Sequence, residues 1–295
     1  MAEQKPKFAA GRITEEELAR HRSRVGRKYT GEGSFNEYVT KDGIRHFAEG
    51  IGDTNPLWVD EEYAKKTRYG VIPAMPGYLG TMSGPPRLIG LPGVLAFHAG
   101  TDLEFYKPLL LGDKIDSERE FADFDVKSSE SGPTRVIEHW EARYTNQLGE
   151  MVAKSHTTTM RMEATRVAER TGGGGSKEEK KGPTLVVPHP WTDEERLQIE
   201  NEMIAEKARG SEPRFWEDVN VGDEVTELVK GPARITDMAC WLGATTSLLA
   251  YSMGLRLIHK VPGMAMLHPF SNAREFVEIV HVDHEAARIA RMPTA

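Results

Sequence analysis

The chain has 295 residues, 28% of them charged and 39% apolar, and a formal net charge of −7. That length holds two ordinary domains and a substantial core, and the acidic balance gives no reason to expect binding to nucleic acid. Cys240 is the only cysteine, which excludes an intrachain disulfide and a Cys-based zinc site, and no apolar run approaches the roughly 18 residues of a membrane span. A cytoplasmic protein with no membrane contact is the expectation.

In chain order, Thr14 to Leu18 opens a charged helix, with Thr14 as cap and Glu17 completing a capping box. A second helix starts at the cap Thr40. Ile44, Phe47, Ala48 and Ile51 fall at i, i+3, i+4, i+7, so it presents one apolar face and ends at Gly52. Asp60 caps a third, short helix running through Lys66.

From Ala99 the apolar period changes to two. Turns at Leu111-Gly112-Asp113, Ser131-Gly132-Pro133 and Asn146 to Gly149 separate the runs, which reads as a β-meander ending at Met162. A single buried helix followed by long antiparallel strands predicts an α+β fold in which a sheet wraps the helix. Residues 165–183, with Gly172-Gly173-Gly174-Gly175-Ser176 and then a charged run, hold little that can be buried and read as a flexible linker. The expected organisation is therefore 1–164, a linker at 165–183, and 184–295.

The halves align internally. Leu57 to Ala64 matches Val280 to Ala287, Arg68 matches Arg291, and the helix caps Thr40 and Thr236 correspond. By this alignment the second half stops before the counterpart of the long strands, so its helix would expose Met238, Trp241 and Leu242. Either the chain is a fragment or another polypeptide completes the second unit.

Several strings, taken together, resemble the MaoC-like acyl-CoA dehydratase and hydratase family. They are Gly52-Asp53-Thr54-Asn55-Pro56-Leu57-Trp58-Val59-Asp60, Ala64 to Gly70, Pro73-Ala74-Met75-Pro76 and Phe105 to Asp113. In the second half they are Arg209-Gly210, Phe215 to Asp223, Lys230-Gly231-Pro232 and Thr236-Asp237. The resemblance implies a hotdog fold, two units of it with the second incomplete, and a 2-enoyl or 3-hydroxyacyl thioester of coenzyme A or acyl carrier protein as substrate. It implies a carbon-oxygen lyase without a cofactor, adding water reversibly across the 2,3-double bond. Hotdog folds also host thioesterases, and a non-catalytic acyl-binding subunit of a heteromeric hydratase is a further alternative.

Hydration needs a base for water, an acid for the α-carbon and donors for the enolate oxygen. The family carries an Asp and a His five residues apart. Here Asp53 is followed five positions on by Trp58, whereas His281 is preceded by Phe276, so neither half has both groups. The catalytic candidates are His281, with Glu278 or Glu275 as its carboxylate, and Asp53. Asn55, Trp58, Gly77 and Asp283 are the substrate-binding candidates. Each has a plainer reading: Asp53 to Pro56 is a turn-forming string, Trp58 can be packing, His281 between two valines can be an interior residue, and Asp283 can cap a helix. His281 and His284 lack a third ligand, so no metal is expected, and no glycine pattern fits a nucleotide loop.

Overall fold

The computed structural model describes residues 12–30, 36–82, 91, 94–129, 132–163, 190–207, 214–224, 228–231, 234–245, 265–267, 274–276, 279, 282–284 and 287. The proposed linker lies outside them, as do Glu278 and His281.

The first half is built on α2 (Lys41–Ile51). Thr40 accepts from the Gly43 N–H, and Gly52 ends the helix with φ of 71°, a left-handed conformation that glycine adopts without a Cβ penalty. Ile44, Phe47 and Ala48 are buried as the spacing predicts. Burying Ile44 and Phe47 contributes on the order of 2 kcal/mol each.

A five-stranded antiparallel sheet covers this face, in the order β1-β3-β4-β5-β2, from β1 (Lys28–Thr30), β2 (Leu95–Phe105), β3 (Ile115–Ser129), β4 (Gly132–Asn146) and β5 (Met151–Met162). The expected meander holds for β3, β4 and β5 alone. β2 precedes them in sequence but pairs with β5 at the far edge, and β1 was not anticipated. His98 lies exposed within β2, beside the register shift between His98 and Gly100.

Strand alternation directs Val136, Glu138, Trp140, Ala142 and Tyr144 of β4 to the concave face. One end of that face packs on α2 through Ile115, Ala142, Tyr144 and Ala153. The other end is closed by α1 (Glu15–Arg22), whose Leu18 meets Phe121, Phe124 and Val136. Thr14 caps α1 by accepting from Glu17 N–H. The Glu17 carboxylate pairs with Arg20, so the capping box is only half formed.

His21 of α1 is fully buried between Phe121 and Phe124, with ring centroids 4.7 and 4.8 Å away. Its Nε2 lies 3.1 Å from Glu138 Oε1, outside hydrogen-bond geometry, and Arg161 Nε donates to the same oxygen at 2.9 Å. Burial alone would raise the Glu138 carboxyl. The His21 ring and the Arg161 guanidinium outweigh it and hold the group below the usual carboxylate range.

In the second half, α4 (Asp193–Ala205) carries a complete capping box between Thr192 and Glu195. α5 (Ile235–Thr245) packs against α2, and a two-stranded ribbon joins β6 (Ala265–Leu267) to β7 (Arg274–Phe276). The cap expected at Thr236 is displaced. Arg234 O accepts from Asp237 and Met238 N–H, so the helix begins two residues earlier and Thr236 lies in its first turn.

Candidate active site

The site is organised by the turn that fixes the start of α2. Gly112, with φ of 97°, lets Leu110 to Asp113 reverse direction, and Asp113 Oδ2 accepts from Leu110 N–H at 2.8 Å. Val39 N–H donates to Asp113 O and Gly112 N–H to Val39 O, tying the residue before the Thr40 cap to this turn. The turn that ends the Phe105 to Asp113 string therefore helps hold the start of the helix in place.

At the other end of α2, Asp53 N–H donates to Ala48 O at 2.9 Å and brings the loop back onto the helix. Both carboxylate oxygens of Asp53 are engaged: Oδ1 accepts from Asn55 N–H and Oδ2 from the Trp58 indole Nε1, each at 2.9 Å. Asn55 Oδ1 accepts from Leu57 N–H at 3.0 Å and caps a single 3₁₀ turn, Pro56–Trp58. The half-buried Trp58 packs on the α2 core. Asp53, Asn55 and Trp58 thus form one hydrogen-bonded loop, in which a ring N–H meets a carboxylate.

Gly77 lies in the 3₁₀ segment Pro76–Met82, against the Phe47 ring. A Cβ added there would come within 3.2 Å of the Phe47 ring, a tight contact that the ring would have to shift by a few tenths of an ångström to accept. Tyr78 beside it is fully buried, stands edge-on to Phe47 at 5.8 Å, and has its hydroxyl pushed up in pKa by burial. From the second half, Trp241 of α5 reaches Phe47 with a ring separation of 6.3 Å. Trp241 was singled out in sequence only as an apolar residue left exposed. Its contact with Phe47 joins helices far apart in the chain and could not be read from spacing.

The internal repeat has a backbone counterpart. In the first half Val59 and Asp60 N–H both donate to Pro56 O, and Ala64 N–H donates to Asp60 O at 2.9 Å. In the second, Val282 and Asp283 N–H both donate to Ile279 O, and Ala287 N–H donates to Asp283 O at 2.9 Å. Ala64 and Ala287 are both fully buried. Asp283 therefore occupies the backbone position of Asp60, which caps α3 (Glu61–Lys65) by accepting from Glu62 and Tyr63 N–H. Of the candidates, Asp53, Asn55 and Trp58 are together, Gly77 lies against the Phe47 ring, and Asp283 belongs to the second ladder.

Residues 23–155 match the family model described as "FAS1-like, dehydratase domain region". A UPF0336 protein from Streptomyces avermitilis is 30% identical over 106 residues, 33% of this chain and 69% of the relative. A solved structure described as a MaoC-like dehydratase superposes with a TM-score of 0.54 at 18% identity, covering 93% of this chain and 73% of the other. The chain belongs to the MaoC-like dehydratase family. Two further relatives are a UPF0336 protein from Parafrankia, 35% identical over 99 residues, and a probable enoyl-CoA hydratase alpha subunit from Thermomonospora curvata, 29% identical over 138 residues. This MaoC-like chain matches 31% and 40% of its own length to them, and spans 64% and 43% of theirs. Among the described residues no helix is long and apolar enough to cross a membrane, and no cluster of three metal-ligating side chains is present.

Proposed function

We propose that the chain is a hydratase/dehydratase subunit that adds water reversibly across the 2,3-double bond of an enoyl thioester of coenzyme A, with His281 as acid and base. The reading rests chiefly on the repeated backbone ladder. It aligns position 281 with position 58, where the first half already sets a ring N–H against the Asp53 carboxylate. An imidazole titrates in the right range for both proton transfers, which an indole does not. The base takes a proton from water, the oxygen bonds to C3, and the electron pair displaced from the double bond moves onto the thioester oxygen as an enolate. C2 then takes a proton. Glu278, or Glu275 on β7, is the carboxylate proposed to orient the imidazole. Asn55, Trp58 and Gly77 are proposed to line the acyl and thioester path beside Phe47.

A second reading, a non-catalytic acyl-binding subunit, is favoured by one observation: Asp53 has both oxygens engaged and a non-titrating ring as its partner. The test is loss of conjugated-thioester absorbance from crotonyl-CoA and longer enoyl-CoAs. Wild type should hydrate them without releasing free thiol, and His281→Ala should lower the rate by about 10²-fold or more. An unchanged rate removes His281 from the mechanism, and thiol release would instead point to thioester hydrolysis.

A further inference from the structure

Three neighbours of the Phe47 ring differ in what they bring to it. Tyr78 is fully buried and stands edge-on at 5.8 Å. Gly77 brings no side chain: it lies against the Cζ and Cε1 atoms of the ring and is itself exposed. Trp241, from the second half, is tilted 59° to the ring at 6.3 Å and is 45% exposed. Phe47 is buried, yet two of its neighbours open to solvent.

Helix packing sets where the Trp241 indole stands. About one turn further along both helices α2 and α5 are in direct contact, because a Cβ on Gly50 would lie 2.1 Å from Ala244 Cβ and 3.1 Å from Cys240 O. α5 also packs on the 3₁₀ segment Pro76–Met82, which carries Gly77 and Tyr78. The backbone of Trp241 is thus held on two sides. Its ring turns about only two side-chain torsions, so the indole forms a fixed wall against Phe47.

We propose that Trp241 limits the length of the acyl chain, selecting short enoyl thioesters over long ones. The inference rests on the reading given above, in which the acyl path runs beside Phe47 and past Gly77. Along that path the missing side chain at Gly77 leaves an open approach, and the indole is the largest group standing on the same ring. A short acyl group ends before it. Each further methylene has to displace the indole or turn back into water, and an apolar pocket of fixed shape discriminates by about tenfold or more per methylene that does not fit. A residue of the second half therefore sets the selectivity of a path lined mostly by the first.

The test is kcat/KM for crotonyl-CoA and for trans-2-octenoyl-CoA, measured on the full protein as isolated, any bound chain included. Wild type should favour the shorter group by about tenfold or more. Trp241→Ala should raise the long-to-short ratio by about tenfold or more, and Trp241→Leu, which keeps an apolar side chain on Phe47, should move it in the same direction. A loss of packing alone would lower both rates together and leave the ratio where it was. An unchanged ratio in a variant that keeps the wild-type unfolding transition, or a wild type that prefers the longer group, overturns the inference and leaves the hydratase reading standing. If neither thioester is hydrated, that reading fails, and equilibrium dialysis of butyryl-CoA and octanoyl-CoA decides the inference by itself. The ratio of their Kd values should then shift by about tenfold in Trp241→Ala. An unchanged ratio, or no binding of either, overturns it.

Discussion

The indole N–H of Trp58 donates to Asp53 Oδ2 at 2.9 Å, and the other oxygen of Asp53 accepts from Asn55 N–H at the same distance. A carboxylate held this way braces the loop at the end of α2. Trp58→Phe keeps the ring packing and removes the donor, so it should cost about 1–2 kcal/mol, read from the urea midpoint. Trp58→His should do something different. It sets an imidazole beside the same carboxylate, which favours the charged ring, so its NMR titration should run above that of an exposed histidine. A titration at the ordinary value would show that the imidazole does not take the indole's place.

The identity of this loop was plain in the sequence, and its mechanics were not. Asp53, Asn55 and Trp58 stand in a recognisable string, but which atom each side chain engages depends on Ala48 O drawing the chain back onto α2. The repeat at Asp283 was legible because it reuses the same residue types at the same spacing.

Gly50 sits where α2 and α5 touch, with Ala244 Cβ 2.1 Å and Cys240 O 3.1 Å from where its Cβ would be. In an open helix Gly→Ala is stabilising by up to about 1 kcal/mol. Here the clash should reverse the sign, with Gly50→Ala costing about 1–3 kcal/mol by overpacking. Ala244→Gly added to it should recover part of the loss, since Cys240 O still crowds the site, and a double-mutant cycle measures that coupling. Simple additivity would mean that the helices separate readily.

Glu138 sets the acid limit of the first half. Its carboxyl is held below the usual range when folded, so the unfolded chain binds its proton more readily. Its contribution is complete above the unfolded value, about 4.3, and disappears as pH falls through the lower folded value. Glu138→Gln should therefore flatten the dependence of stability on pH between about 4.3 and the folded value. At neutral pH it should cost about 3 kcal/mol, because Arg161 loses its buried counter-charge. Parallel pH–stability curves for the two proteins would deny Glu138 this role.

Neither β1 nor the position of β2 was legible along the chain, for different reasons. β1 has three residues, too few to display a period, and is defined by its pairing with Glu118 to Glu120. β2 lies next to β3 in sequence but takes the opposite edge because β5 pairs with it from Leu95 to Phe105, a long-range choice that local alternation does not encode. The core of α2 was readable because its apolar spacing is that of a helix and its cap and stop residues mark both ends.

Ala64 and Ala287 offer a direct comparison of the two halves. Each is fully buried and each N–H donates at 2.9 Å to the carbonyl of an aspartate four residues earlier. A leucine at either position has no room and should cost about 1–3 kcal/mol. For Ala64→Leu the loss should appear in the unfolding transition of the first half, because Ala64 is part of the cluster around Phe47 and Tyr78. For Ala287→Leu it should appear as faster amide exchange at Val282, Asp283 and Ala287, with the first half unchanged. If exchange at those three amides is unaffected, the enclosure of Ala287 is not what holds the second ladder, and the structural equivalence of the two aspartates is weaker than their hydrogen bonds suggest.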